Sequence, residues 1–207
     1  MDTKPQLIVK GRKFEQVLEG ARAIFMRDGF DRASMDDIAR EAGVSKATLY
    51  AYFADKRILF MEIATAECRR QAEEAISEIN FDMPIPDGLR TAATRIIGLM
   101  QSDLGKRIYR IAVTESENFP ELAQEFYKSG PLLVRDCIGE YLRKGVAREE
   151  LEIDDIALAA AQFGQLCKVE LQDRLLFTGC TTCSPEEVQR IIDGAIDMFM
   201  ARYAKST

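Results

Sequence analysis

Apolar residues recur at three- and four-residue steps along most of this 207-residue chain, and no other feature restricts its fold as strongly. That spacing places apolar side chains on one face of an α-helix, whereas a half-buried strand requires strict alternation. The runs of Val, Ile and Phe show no sustained alternation bounded by hairpin turns. We therefore predict an all-α fold of nine or ten helices, without strands, preceded by a loose arm over residues 1–9.

Capping residues, glycines and prolines predict where these helices begin and end. Ser34, Ser45 and Asp55 are expected to cap three of them, and Gly29 is expected to adopt a positive φ at the end of the first. The predicted helices span residues 11–28, 34–43, 45–52, 55–80, 87–104, 106–114, 119–128, 131–147, 153–176 and 185–204.

Two details of composition exclude whole classes of function. Histidine is absent, which removes His-dependent catalysis and metal sites that need an imidazole. Neither a glycine-rich phosphate loop nor a Ser or Cys nucleophile with a plausible base is found, so we predict no enzyme, no cofactor and no metal. Five cysteines without a secretory signal indicate reduced thiols in the cytoplasm, and no apolar run is long enough to span a bilayer.

Charge is distributed unevenly along the chain, although its total is −6. Residues 1–60 carry 11 Lys and Arg against 9 Asp and Glu, whereas residues 61–207 carry 17 against 25. The positive end is therefore the N-terminus, which is the end expected to approach nucleic acid.

The segment SMDDIAREAGVSKATLYAYFADK, from Ser34 to Lys56, predicts a helix-turn-helix. Ala39 is small where two helices would cross, and Gly43 permits a positive φ in the turn. The core between the two helices would consist of Ile38, Val44 and Leu49. A capped αα-hairpin without DNA binding is the alternative interpretation of this pattern.

The second of these helices should present a face of small residues to DNA. At 100° per residue, Ala47 and Ala51 lie opposite the core-facing Leu49. Alanines let the backbone approach base edges and contact thymine methyl groups, while neighbouring polar side chains donate hydrogen bonds. Helix starts also favour phosphate contacts. The predicted DNA-binding residues are Ser34, Lys46, Ala47, Thr48, Tyr50, Ala51, Tyr52 and Lys56.

Residues 12–62 resemble the tetracycline-repressor (TetR) family of bacterial transcription regulators. The resemblance is most specific in TLYAYFADK, Thr48 to Lys56, which is similar to the recognition helix and the start of the connecting helix in that family. It implies a DNA-binding domain over residues 1–54 and a helical ligand-binding and dimerisation domain over residues 55–207. It also implies a homodimer built through a four-helix bundle, but it does not specify the ligand.

Small and apolar residues near the C-terminus suggest where two subunits and a ligand would bind. The interface candidates are Ala160, Phe163, Gly164, Ile192, Ala195 and Phe199. The pocket candidates are Arg69, Met100, Leu104, Ile111, Glu115, Phe126, Gln162, Phe163, Leu166 and Cys167, with Ile108, Phe119 and Gln165 as further candidates. The alternative for each of these residues is an ordinary place in the core or on the surface.

The sequence thus favours a homodimeric repressor that a small molecule releases from a palindromic double-stranded DNA operator. One alternative is a ligand-binding or interaction protein on the same fold that lacks sequence-specific DNA binding. Another is a thiol-based redox sensor that uses the Cys-x-x-Cys pair Cys180 and Cys183, near the start of the last helix.

Overall fold

The computed structural model describes residues 11–77, 82–178 and 183–205, and within these ranges it is helical without strands. None of the described helices is long and apolar enough to cross a membrane. The α-helices are α1 (Arg12–Arg32), α2 (Met35–Glu41), α3 (Lys46–Tyr52), α4 (Lys56–Ser77), α5 (Ile85–Gln101), α6 (Asp103–Thr114), α7 (Pro120–Tyr127), α8 (Leu133–Ala147), α9 (Ile156–Leu166), α10 (Leu171–Phe177) and α11 (Pro185–Tyr203), and a π-helical segment joins α7 to α8 over Lys128–Leu132.

The chain divides into two compact units, one ending at Glu67 and the other beginning at Cys68, so that α4 contributes to both. In the N-terminal unit, α1 packs closely on α2. A Cβ added at Gly20 would lie 2.7 Å from the backbone nitrogen of Ala42, which is too close for any larger residue. The core of this unit consists of Phe14, Val17, Ala21, Ile24, Ala33, Ile38, Ala39, Ala42, Leu49, Phe53, Leu59 and Ile63.

The caps predicted for the first helices are confirmed. The Ser34 and Ser45 hydroxyls accept hydrogen bonds from backbone N–H groups three residues on, and a carboxylate oxygen of Asp55 accepts one from the Arg57 N–H. Gly43 has a φ of 63° in the turn, as predicted. Gly29 has φ 78° and ψ 164°, a region open to glycine alone, but α1 resumes beyond it and ends at Arg32.

The C-terminal unit is built around α5, α8, α9 and α11, whose apolar faces form one continuous core. Its fully buried side chains include Leu89, Ile97, Leu142 and Phe163. The single Tyr141 hydroxyl hydrogen is shared between the carbonyl oxygens of Met83 and Pro84, which lie 3.0 and 2.9 Å from the hydroxyl oxygen, and this contact ties α8 to the start of α5.

One predicted helix in this unit is wrong. The single helix expected over residues 153–176 is broken by a turn between α9 and α10, where Glu170 has a φ of 61°. Leu171 and Leu175 continue the apolar spacing beyond the turn and are buried, so the periodicity did not reveal the break. Pro131 lies between α7 and α8, as predicted, but the connection is the π-helical segment, which accommodates a residue without an N–H.

Candidate DNA interface and cavity

The face of α3 predicted to meet DNA is exposed, and the opposite face is buried. Lys46, Ala47, Tyr50 and Ala51 are all exposed, and Tyr50 retains 49% of its accessible surface. Leu49 is fully buried in the core between α1, α2 and α3. The helix therefore presents two alanines flanked by a lysine and a tyrosine. Because the alanine side chains protrude little, the helix backbone can come close to base edges in a major groove.

Two polar side chains on α3 already have intramolecular partners. The Lys46 ammonium lies 2.6 Å from a carboxylate oxygen of Asp36, in an ion pair whose two side chains are both more than half exposed. Because such pairs are weak in water, phosphate can compete for this lysine. The Thr48 and Ser45 hydroxyl oxygens lie 2.8 Å apart, which orients Thr48 at the start of the helix.

Lys56, a predicted phosphate contact, instead contacts the C-terminal end of α1. Its ammonium donates three hydrogen bonds, to the carbonyls of Phe30, Asp31 and Ala33 at 2.9, 3.1 and 3.0 Å, and it lies 4.7 Å from the centre of the Phe30 ring. All three donors of the lysine are used in this way. The side chain therefore fastens the start of α4 to the C-terminal end of α1, where the helix dipole favours a cation.

Ser34 and Tyr52 are also held within the unit. The Ser34 hydroxyl caps α2 and donates to the Asp37 carboxylate, so a phosphate bound by this side chain would displace Asp37. Tyr52 is half-buried, and its ring contacts the Phe14 ring edge-on at 5.6 Å. Arg57, which the sequence analysis did not single out, pairs with Asp55 at 2.8 Å and holds the pKa of that carboxyl below its usual range.

The C-terminal unit contains a cavity of about 960 Å³, large enough for a small organic molecule. Side chains of α5, α6, α8 and α9 line it, together with parts of α7, the π-helical segment and α10. Met100 and Phe126 are predicted pocket residues that do line it, as do Ile108 and Gln165. The sequence analysis missed the polar residues Lys106, Tyr109 and Lys168, because each stands within an apolar helical pattern and is typical of a solvated face.

The other pocket candidates do not line this cavity. Arg69 pairs with Glu125 at 3.0 Å, and the Gln162 side-chain oxygen accepts a hydrogen bond from the Tyr203 hydroxyl at 2.6 Å. Cys167 is fully buried in the core, where burial raises the pKa of its thiol to about 12. The remaining candidates outside the described cavity walls are Ile111, Glu115, Phe119, Phe163 and Leu166, and the Leu104 side chain lies outside the described residues.

Two family models match the chain, one in each unit. Residues 17–63 match the model of bacterial regulatory proteins of the tetR family, and residues 87–205 match that of the C-terminal domain of AefR-like transcriptional repressors. The second match alone covers more than half of the chain. The chain belongs to the TetR family. Its predicted family and its all-α fold, with an N-terminal helix-turn-helix and a larger helical domain, are thereby confirmed.

Individual transcription regulators resemble the chain over most of its length. A solved structure from Mesorhizobium loti assigned to this family has a TM-score of 0.76 and 26% identity, and the match covers 93% of this chain and 97% of that one. The structure of the flavonoid-responsive regulator FrrA has a TM-score of 0.68 and 33% identity, covering 95% and 100%. The HTH-type transcriptional repressor AcnR of Corynebacterium jeikeium is 27% identical over 70% of this chain and 74% of its own length. This TetR-family chain is a DNA-binding transcriptional regulator.

The residues proposed for a dimer interface in this TetR-family protein mostly lie inside its own core, which corrects the sequence-based assignment. Ala160, Phe163, Ile192, Ala195 and Phe199 are at most 3% exposed, and the Phe163 and Phe199 rings contact each other edge-on at 5.5 Å. Gly164 is half-exposed and lines the cavity. The apolar stripes of α9 and α11 therefore pack on one another within a subunit, and a second subunit would need their exposed sides.

The Cys-x-x-Cys pair is only partly described, since Cys180 lies outside the described residues. Cys183 is a half-buried free thiol whose sulfur contacts the Arg174 guanidinium, and its N–H donates to the Gln101 side-chain oxygen at 2.9 Å. Within the described ranges, no three His, Cys, Asp or Glu side chains are grouped as metal ligands would be.

Proposed function

We propose that this TetR-family protein is a cytoplasmic repressor that binds a near-palindromic operator as a homodimer and releases it when a small molecule enters the cavity. Residues 1–54 would form the DNA-binding domain and residues 55–207 the ligand-binding and dimerisation domain. The single observation that carries the proposal is the exposed Ala47–Tyr50–Ala51 surface of α3 above the buried Leu49. A surface of this kind, on a helix fixed by its own core, is suited to the major groove.

Each residue on this surface would have a distinct role at the operator. Ala47 and Ala51 permit close approach and contact thymine methyl groups. The Tyr50 hydroxyl reaches a base edge or a phosphate, and Lys46 exchanges Asp36 for a phosphate. Two such helices in a symmetric dimer would enter successive major grooves about 34 Å apart, which is one turn of B-DNA.

The cavity supports the effector half of the proposal. FrrA is described as flavonoid-responsive, which favours the same kind of control in this chain without specifying the ligand. α4 begins beside the Lys56 clamp in the N-terminal unit and continues into the C-terminal unit. We expect ligand binding to shift α4, alter the separation of the two recognition helices, and thereby lower operator affinity.

The dimer would form through the outward sides of α9 and α11. These sides carry exposed apolar side chains, Leu158 at 53% and Met198 at 64%, together with Gly194, whose Cβ position is open. Exposed apolar residues next to an open glycine allow close helix packing in a four-helix bundle. Sedimentation of a Leu158→Asp, Met198→Asp double variant as a monomer would support this surface, and an unchanged dimer would exclude it.

Operator binding can be tested by fluorescence anisotropy with a duplex from immediately upstream of the gene and a scrambled duplex, across a salt series. We expect selective binding with two subunits per duplex. Tyr50→Ala should weaken it about tenfold or more, whereas Phe177→Ala, which removes an exposed aromatic ring of the other unit outside the cavity lining, should not. Equal, weak binding of every duplex in a genome-wide selection would instead favour a ligand-binding protein without sequence-specific DNA recognition.

A further inference from the structure

The charged residues on the described walls of the cavity are all of one sign. Arg95, Lys106, Arg110, Arg135 and Lys168 contribute to its walls, and none of the described lining residues is Asp or Glu. This is opposite to the composition of the surrounding sequence, in which acidic residues outnumber basic ones. Five cations and no carboxylate among the described lining residues favour an anionic ligand over a neutral or cationic one.

The cations differ in whether the protein already supplies a counter-charge. Lys106 pairs with Asp103 at 3.1 Å, and Arg135 pairs with Asp136 at 2.8 Å, in each case with a well-exposed carboxylate of the same helix. Lys168 has no such carboxylate in the described part of the chain, although it is half-buried and its burial lowers its pKa. A half-buried ammonium without a counter-charge gains the most from a bound anion.

A hydrogen bond joins α10, close to Lys168 in sequence, to α6. The Gln172 side-chain N–H donates to the Tyr109 hydroxyl oxygen at 2.9 Å, and Gln172 follows Lys168 by four residues, with a backbone hydrogen bond between them. Because Tyr109 accepts this bond, its own hydroxyl hydrogen remains available to an acceptor in the cavity. We call Lys106, Tyr109, Lys168 and Gln172 the cationic end of the cavity.

Apolar side chains form most of the rest of the wall. They include Leu89, Ile96, Leu99, Met100, Phe126 and Ile138, contributed by α5, α7 and α8. A surface of this kind binds the apolar body of a ligand, while a few polar groups at one place fix its orientation.

We propose that the cavity binds an amphipathic organic anion, an apolar molecule with one acidic group that is held by Lys168 and the Tyr109 hydroxyl. This inference rests on the proposed function, because it assigns a ligand class to the same effector site. The apolar body would lie along α5 and α8, and the acidic group would neutralise the charge of the half-buried Lys168.

Calorimetric titration of the full-length protein with two matched ligand pairs tests the charge requirement. Dodecanoate and dodecan-1-ol represent a flexible body, and 2-naphthoate and 2-naphthol represent a flat one. We expect the carboxylate of at least one pair to bind about tenfold tighter than its neutral partner, as a charge-assisted contact predicts. Equal or tighter binding of the neutral member in both pairs would overturn the proposal.

Variants then locate the preference at the cationic end. Lys168→Met should lower the affinity for the carboxylate about tenfold, and so abolish the preference, while leaving the affinity for the neutral partner nearly unchanged. Tyr109→Phe, which preserves the ring, should reduce the preference by a smaller factor. Lys144→Met removes an exposed lysine of α8 outside the cavity lining and serves as the control. Retention of the full preference in Lys168→Met and Tyr109→Phe would overturn the assignment.

The same samples separate this inference from the proposed function. Carboxylate binding that depends on Lys168 but leaves operator affinity unchanged would support the ligand class and contradict effector-controlled release. Operator release by the neutral members alone would support the regulatory proposal and overturn the anionic ligand. Release by the carboxylate, lost in Lys168→Met and kept in Lys144→Met, would support both.

Discussion

The two units of the chain use the same kind of helix for opposite purposes. In the N-terminal unit, the helices close on a continuous core around Leu49 and Phe14, which supports the exposed face of α3 from below. In the C-terminal unit, the helices enclose about 960 Å³ beside a core of similar composition. A surface that reads a rigid groove requires fixed geometry, whereas a cavity that admits a ligand requires walls that tolerate incomplete packing.

A leucine-to-alanine substitution, made separately in each unit, tests this difference and has the largest expected effect on stability. Leu49→Ala removes a fully buried side chain from the closed core and should lower the free energy of unfolding by about 2–5 kcal/mol. Leu99→Ala makes the same chemical change in the wall of the cavity, where fewer contacts are lost, and should cost about 1 kcal/mol. Urea unfolding followed by circular dichroism measures both values, and equal costs would contradict the comparison.

Sequence and structure agree best where the determinants are local. The Ser34 and Ser45 caps, the positive φ of Gly43 and the buried face of α3 could all be predicted, because each depends on residues within a few positions. The break between α9 and α10 and the position of Lys168 in the cavity could not, since both depend on how distant helices pack. The same limit applies to Phe163, whose partner Phe199 is 36 residues away in sequence.

Lys56 and Lys46 allow the distinction between a fastening lysine and a DNA-facing lysine to be tested. Lys56→Met removes three hydrogen bonds to the end of α1 and should lower the free energy of unfolding by about 1.5–3 kcal/mol. Lys46→Met breaks only an exposed ion pair and should cost about 0.5 kcal/mol or less.

Operator binding by the same two variants should show the reverse order. Lys46→Met is expected to reduce the slope of log affinity against log salt concentration by about 1, as the loss of one phosphate contact predicts. Lys56→Met should leave that slope unchanged. A reduced slope in Lys56→Met, measured on folded protein, would indicate that Lys56 does contact a phosphate.

A substitution of Asp36, on the same surface, should have a smaller effect on DNA affinity. Its carboxylate competes with phosphate for Lys46, so Asp36→Asn should raise the affinity for a scrambled duplex by roughly threefold at low salt, and less at high salt. Asp154→Asn makes the same charge change at an exposed position in the C-terminal unit and should have little effect. Anisotropy across a salt series distinguishes the two variants, and equal increases would mean that net charge, not Lys46, is responsible.

Helix capping provides the finest comparison between the units. At α2, Asp37 accepts a hydrogen bond from the Ser34 hydroxyl. At α11, the longer Glu187 reaches the backbone N–H of Ser184 at 2.9 Å and completes a full capping box. Glu187 also accepts a hydrogen bond from the Arg174 guanidinium, and these contacts lower its pKa from 4.5 to about 2.

The stability supplied by Glu187 should therefore depend on pH. A lowered pKa in the folded state stabilises the fold above pH 4.5, and this contribution declines as the pH falls towards about 2. The difference in thermal midpoint between the wild type and Glu187→Gln should be small, greatest above pH 5, and should shrink over that interval. Because Arg174 is the main cause of the shift, the pH dependence should weaken in an Arg174→Met background. If it persisted there unchanged, the capping contact with Ser184 would be its source.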